Sequence, residues 1–148
     1  MAPGMSLLPA STNDAYGGMK AAAWGLTVIA AATISSALLH IGLPDGGAVV
    51  IAGLDISGAE RIIISLFAWA GTTQFVWGLM LLAVSLRYRS LVPLALGLLT
   101  IERALHTWNM WGTKGSHLAE GHHPPEAWVT LGSVPVLLIF LAMSLRRA

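Results

Sequence analysis

The stretch of sequence that decides the fold covers residues 62–86 and reads IIISLFAWAGTTQFVWGLMLLAVSL. It contains no charged residue, and it exceeds the roughly 20 apolar residues that an α-helix needs to cross the hydrocarbon of a bilayer. Three adjacent polar residues, Thr72, Thr73 and Gln74, lie at its middle, and Arg87 follows its end. The stretch therefore predicts a membrane-spanning helix with a short polar patch at its centre.

Three further apolar runs of similar length flank this one, over residues 21–41 before it and over 91–111 and 127–145 after it. The composition agrees, because 55% of the 148 residues are hydrophobic and only 10% are charged, whereas soluble domains carry roughly 25% charged residues. We therefore expect an all-α integral membrane protein. An up-down bundle of four transmembrane helices would form one domain over 19–148, after an irregular N-terminal tail over 1–18.

The basic residues predict the orientation of this bundle. Four spans place both termini and the connection between helices two and three on one side of the membrane. That side carries most of the basic residues outside the apolar runs: Lys20, Arg87, Arg89, Arg146 and Arg147. By the positive-inside rule it faces the cytoplasm, so we expect a protein of a bacterial inner membrane with both termini inside.

The connection between the first two runs, residues 42–60, is harder to interpret. It contains Pro44, the pair Gly46 and Gly47, and an apolar patch over 48–52 that is too short to span a bilayer. A small hairpin, a re-entrant turn and an interfacial segment all fit this pattern. The sequence leaves the three alternatives open.

Composition also excludes several classes of function. The chain has no cysteine, which removes disulfides, thiolate metal sites and cysteine nucleophiles. The net charge is +1 and no basic run is present, so we expect no binding to nucleic acid. The expected partners are membrane lipid and, beyond it, a small molecule or another membrane protein.

Charged residues occur inside only one of the apolar runs, where residues 100–111 read TIERALHTWNMW. At helical spacing Glu102, His106 and Asn109 share one face, and Arg103 lies about 100° to the side. Charges at membrane depth are unfavourable by about 2.5–3.5 kcal/mol each on insertion scales. We therefore expect neighbouring helices to shield Glu102 and Arg103 from lipid. Because the two residues are adjacent, we expect each to find its partner on another helix.

Counting along each span at about 1.5 Å per residue predicts a polar layer from the midplane to the outer surface, above an apolar inner half. In the resulting outward-facing pocket we assign catalytic roles to Glu102 as acid or base, His106 as its proton partner and Arg103 as charge anchor. The residues that we expect to contact a ligand are Gln74, His40, Asn109, Thr73, Ser36, Trp69 and Trp108.

This pattern supports two functions of different classes. The first is binding, with acid–base conversion, of a lipid-soluble small molecule. The second is a non-catalytic accessory role, in which the helices dock onto a larger membrane complex. A homo-oligomer is a further expected assembly and, with bound lipid, would favour the first function. A proton-conducting bundle that uses Glu102 fits less well, because the apolar inner half interrupts a continuous path.

Histidines add a metal alternative without identifying a cofactor. Glu102 and His106 are four residues apart on one helix and could provide two ligands to one metal ion, with His40 as the third. Alternatively, His40 and His106 would suit axial ligation of a haem. His117, His122 and His123 in the loop before the fourth run form a further weak metal candidate. Histidines in helices are more often hydrogen-bonded interior groups than metal ligands, and a histidine-rich loop is more often a solvated connection.

Overall fold

The computed structural model describes residues 7–114 and 123–147, and it confirms the predicted all-α fold with four helices. The helices are α1 (Lys20–Gly42), α2 (Glu60–Arg87), α3 (Val92–Thr107) and α4 (Pro125–Leu145). Within the described ranges, α1, α2 and α4 are long and apolar enough to cross a membrane. The outside of the molecule carries large apolar side chains such as Val28, Ile62 and Ile139, which are 68%, 68% and 61% exposed. Both features indicate a membrane protein.

The third helix differs from the predicted span. It is regular only to Thr107, and a π-helical segment (Trp108–Thr113) continues it. In this segment the N–H of Lys114 donates to the carbonyl oxygen of Asn109 at 2.9 Å, five residues back. In this wider turn the indole of Trp111 lies next to the start of α4. The Nε1–H of Trp111 donates to the carbonyl oxygen of Ala127 at 3.2 Å.

The four helices form two pairs, α1 with α2 and α3 with α4. Glycines permit the close approach of the first pair. A Cβ atom on Gly71 would lie 2.6 Å from Cβ of His40, and one on Gly78 would lie 2.7 Å from Cγ1 of Ile34. Small residues serve this purpose in membrane helices, where contact between backbones replaces the hydrophobic driving force of water.

The end of the bundle that carries the chain termini has a close-packed apolar core, to which all four helices contribute. Its largest fully buried side chains are those of Leu26, Leu81, Leu96, Leu99 and Val92. Towards the other end of the bundle the interior opens into a cavity whose mainly apolar wall also carries polar side chains.

The N-terminal tail, which the structure describes from residue 7 onward, contacts the end of α2. The side-chain amide of Asn13 donates to the carbonyl oxygen of Leu86 at 2.7 Å, and the Ser11 hydroxyl donates to that of Arg87 at 3.0 Å. The last carbonyl groups of a helix have no partner within it. The tail donates hydrogen bonds to two of these groups in α2, the carbonyl oxygens of Leu86 and Arg87. These bonds explain why a segment rich in Pro, Gly and Ser still packs against the bundle.

The connection between α1 and α2 consists of consecutive turns, so it is not a hairpin. The carboxylate of Asp45 accepts hydrogen bonds from the backbone N–H groups of Gly47, Val49 and Val50, at 3.0, 2.8 and 2.8 Å. These bonds, with that of Val50 the largest contributor, hold the pKa of the Asp45 carboxyl below its usual value. The turns place Ala48 and Ala52 in the interior, while Val50 is 74% exposed.

Candidate functional site

A cavity of about 680 Å³ lies at the end of the bundle remote from the termini. All four helices line it, and the connection between α1 and α2 contributes Gly47, Ile51, Ala52 and Leu54. Its volume falls within the range of roughly 300–1,000 Å³ that is typical of small-molecule sites. Most of the wall is apolar, as such sites require.

The polar groups of the wall come from every helix. They are Thr33, Ser36 and His40 of α1, Gln74 of α2, Arg103 and His106 of α3, and Glu126 and Ser133 of α4. The structure thus brings together five of the residues that the sequence analysis assigned to one site, namely Ser36, His40, Gln74, Arg103 and His106. Their roles in binding or catalysis stay predictions.

His40 has a defined tautomer at this wall. Its Nδ1 lies 2.7 Å from the carbonyl oxygen of Gly46, and its ring meets the edge of Phe67 at a centroid distance of 5.6 Å. Because a carbonyl oxygen can only accept, Nδ1 must carry the proton. In the neutral ring Nε2 is then an acceptor.

Arg103 has the expected partner on another helix, Glu126 of α4, but contrary to expectation it also pairs with the adjacent Glu102. Its Nε lies 3.1 Å from Oε2 of Glu102, so the adjacent residues do form an ion pair, and its Nη1 lies 3.9 Å from Oε1 of Glu126. The long arginine side chain reaches around the helix to its neighbour, which the argument from helical spacing had overlooked. The Arg103 side chain is only 17% exposed, whereas those of Glu102 and Glu126 are 45% and 49% exposed.

Glu102 and Asn109 do not line the cavity. They occupy the opposite, open face of α3 together with the apolar residues Ile101 and Leu105. His106 lies between the two faces and borders both. The expectation that neighbouring helices shield Glu102 was therefore wrong: α3 is rotated so that Arg103 faces inward and the stripe of Glu102 faces outward.

Three other candidates also lie outside the cavity. Trp69 and Trp108 are 69% and 65% exposed. The hydroxyl of Thr73 donates to the carbonyl oxygen of Trp69 within α2, at 3.2 Å. These side chains face away from the bundle and do not line the cavity.

Sequence reasoning missed Glu126 as a member of the site. In the sequence Glu126 follows Pro124 and Pro125 at the start of the last apolar run, where an acid in the first turn of a helix is favourable without any role in a site. A signal was available, since the start of the last span lies at the same end of the bundle as His106 and His40. Depth alone does not place Glu126 beside Arg103, because Glu126 precedes its span at the outer surface and Arg103 lies about 12 Å deeper at 1.5 Å per residue.

The metal alternative gains no ligand set from the described residues. His40 and His106 border the same cavity, but no group of three or more His, Asp or Glu side chains with metal-ligand geometry occurs within residues 7–114 and 123–147. His117 and His122 lie outside the described residues. His123 stacks on the indole of Trp111 at a centroid distance of 4.0 Å, beside Trp128.

No protein-family model matches the chain, and comparisons with curated proteins and with solved structures give no match. The chemistry of the cavity therefore has to be inferred from the residues themselves.

Proposed function

We propose that this protein spans a membrane with its termini in the cytoplasm and binds a lipid-soluble small molecule in the cavity between its helices. The observation that carries the proposal is the cavity of about 680 Å³, whose wall is mainly apolar with polar groups from all four helices. An apolar ligand would reach this site from the bilayer. Few, well-placed polar groups are what orients such a ligand.

Conversion of the bound molecule is the second part of the proposal. The side chains of the wall that could give or take a proton are those of His40, His106 and Glu126. Glu102 would act indirectly, because it contacts Arg103 and lies on the outer face of α3. Arg103 lines the cavity and contacts Glu102, so it would transmit the effect of the Glu102 charge to the cavity.

The binding proposal is tested by filling the cavity. Ser36 lies on its wall and its neighbour Ser35 does not; Ser35 is exposed and its hydroxyl donates to a carbonyl group of α1 at 2.9 Å. We expect Ser36→Phe to remove bound small molecules from protein purified in mild detergent, as measured by extraction and mass spectrometry. Ser35→Phe is the matched control and should retain them. Equal ligand content in both variants, or none in the wild type, would refute the proposal.

A second candidate function, that of an accessory subunit, is favoured by the open face of α3. There Glu102 lies among side chains such as Ile101 and Leu105, which are 59% and 58% exposed. A carboxylate facing acyl chains is unfavourable by about 2.5–3.5 kcal/mol, so a second copy or another membrane protein would gain from covering it. Ile101→Trp should then dissociate the assembly in mild detergent, while a monomeric wild type would rule this function out.

A further inference from the structure

We infer that the ligand of the cavity is an uncharged lipid whose head group presents a carbonyl oxygen. This inference depends on the proposed binding function and specifies the class of molecule bound. It follows from two properties of the wall: the charges of its lining residues are already balanced, and its unpartnered polar groups are neutral and able to donate hydrogen bonds.

The formal charges among the cavity-lining residues cancel, because Arg103 and Glu126 carry one charge each, of opposite sign. The guanidinium of Arg103 has Oε2 of Glu102 at 3.1 Å and Oε1 of Glu126 at 3.9 Å. An anionic head group would have to displace one carboxylate and approach the other. A cationic head group would meet the guanidinium itself. In surroundings of low dielectric constant both arrangements are disfavoured, which leaves a neutral head group.

The polar groups that remain available are neutral. The hydroxyl of Ser36, the amide of Gln74 and the ring of His106 border the cavity and make no hydrogen bond to any other residue that the structure describes. In contrast, the hydroxyls of Thr33 and Ser133 donate to carbonyl groups of their own helices, at 2.8 and 2.7 Å. These three side chains are half-buried, and a bound ligand that excludes water from them would have to supply a hydrogen-bond partner in its place.

All three groups can donate a hydrogen bond. The Nδ1–H of His40 is not available, since it is used by the carbonyl oxygen of Gly46. A ligand carbonyl oxygen satisfies such donors without bringing a charge into the cavity. The apolar remainder of the wall, which includes Leu39, Val129 and Val136, would hold the hydrocarbon part.

The test is a competition between probes of equal chain length. Purified full-length protein in mild detergent is incubated with equal amounts of 2-dodecanone, dodecanoate, dodecylammonium and dodecane, and bound molecules are quantified by mass spectrometry after removal of the excess. We expect the ketone to be enriched over each of the others. Equal binding of all probes, or preference for either ion, would overturn the carbonyl inference while leaving the binding function intact. Failure of every probe to bind would overturn both.

Two variants test whether the preference for 2-dodecanone depends on the side-chain amide of Gln74. Gln74→Leu keeps the volume of the side chain but removes the amide, and we expect about two- to tenfold weaker binding of 2-dodecanone with unchanged binding of dodecane. The control is Thr72→Val, because Thr72 is exposed and its hydroxyl donates to the carbonyl oxygen of Ala68 at 3.0 Å. Loss of ketone preference in the control, or its persistence in Gln74→Leu, contradicts the role of the amide.

Discussion

The Nδ1–H of His40 donates a 2.7 Å hydrogen bond to the carbonyl oxygen of Gly46, and so ties the end of α1 to the connection that covers the cavity. Gly46 is buried, at a positive φ of 63° that favours glycine. The imidazole is therefore the partner that satisfies a buried carbonyl group. Leaving such a group unpaired is unfavourable by about 1–3 kcal/mol.

From this relationship we predict the effect of His40→Leu. The connection over residues 43–59 should open more often, and its amide hydrogens should exchange about five- to hundredfold faster, as the loss of about 1–3 kcal/mol implies. Hydrogen exchange measured by mass spectrometry on the detergent-solubilised protein would show this. Amides of α4 serve as the internal reference. Unchanged exchange in the connection would mean that the hydrogen bond does not hold it in place.

The carboxylate of Asp45 predicts a dependence of the same connection on pH. Backbone N–H groups, with that of Val50 foremost, lower the pKa of this carboxyl in the folded protein. A lowered pKa means that the ionised group stabilises the folded connection above the carboxyl's usual pKa of about 3.9, and that this contribution is lost as the pH falls through the lowered value. The turns should therefore loosen only below about pH 4.

NMR chemical shifts of the Val49 and Val50 amides are the direct measurement, because both amides donate to Oδ2 of Asp45 at 2.8 Å. They should move together on acidification. The variant Asp45→Ala should show the loosened connection at neutral pH and no acid transition. A transition of the same size in this variant would assign the effect to another group.

The crossing of α1 and α2 predicts a stability effect at Gly71. A Cβ atom there would lie 2.6 Å from Cβ of His40 and 3.1 Å from the carbonyl oxygen of Ala37. Gly71→Ala should therefore force the helices apart and lower the free energy of unfolding by about 1–3 kcal/mol. Unfolding in mixed detergent micelles measures it. Gly132→Ala is the matched control: it lies in α4 with nothing within 4 Å of its added methyl group, so it should be neutral or slightly stabilising.

Helix number and helix ends were accessible from the sequence because they depend on local properties. Uncharged runs bounded by Lys20, Arg87 and the pair Pro124 and Pro125 predicted the ends of α1, α2 and α4 to within a few residues. The π-helical segment after Thr107 was not accessible, because its wider turn accompanies the contact of Trp111 with the start of α4. Such a contact joins residues from different helices, and periodicity contains no information about it.

The candidate site also depends on contacts between helices, which the periodicity of the sequence does not predict. Helical spacing correctly placed Glu102, His106 and Asn109 on one face of α3 with Arg103 to the side. Spacing gives angles between residues, but not the rotation of the helix within the bundle. That rotation depends on side chains such as Leu96 and Leu99, which are fully buried and turn their own face inward. The face that carries Glu102 was therefore predicted to point inward, whereas in the structure it points outward.

The tail predicts a local effect at Asn13. Its side chain donates to the carbonyl oxygen of Leu86 at 2.7 Å and accepts from the N–H of Arg89 at 3.3 Å. Asn13→Ala removes both bonds, worth about 0.5–1.5 kcal/mol each, so limited proteolysis should cut residues 7–18 sooner. Asp14→Ala, one residue further on and exposed, should leave the cleavage rate unchanged. Equal protection of the two variants would show that the other tail contacts suffice.

The position of Glu126 beside Arg103 predicts how the head-group preference can be changed. Its Oε1 lies 3.9 Å from Nη1 of Arg103, and Glu126→Gln would remove this carboxylate charge from the cavity wall while the guanidinium keeps its pair with Glu102. We expect binding of dodecanoate relative to 2-dodecanone to rise about five- to tenfold, the effect being moderated because the carboxylate is half exposed. The control is Glu60→Gln at the start of α2, since this exposed carboxylate accepts from the N–H of Gly58 at 3.2 Å and does not line the cavity. An unchanged ratio in Glu126→Gln would show that Glu126 does not set the charge balance at the head group, and a rise in both variants would assign the effect to the net charge of the protein.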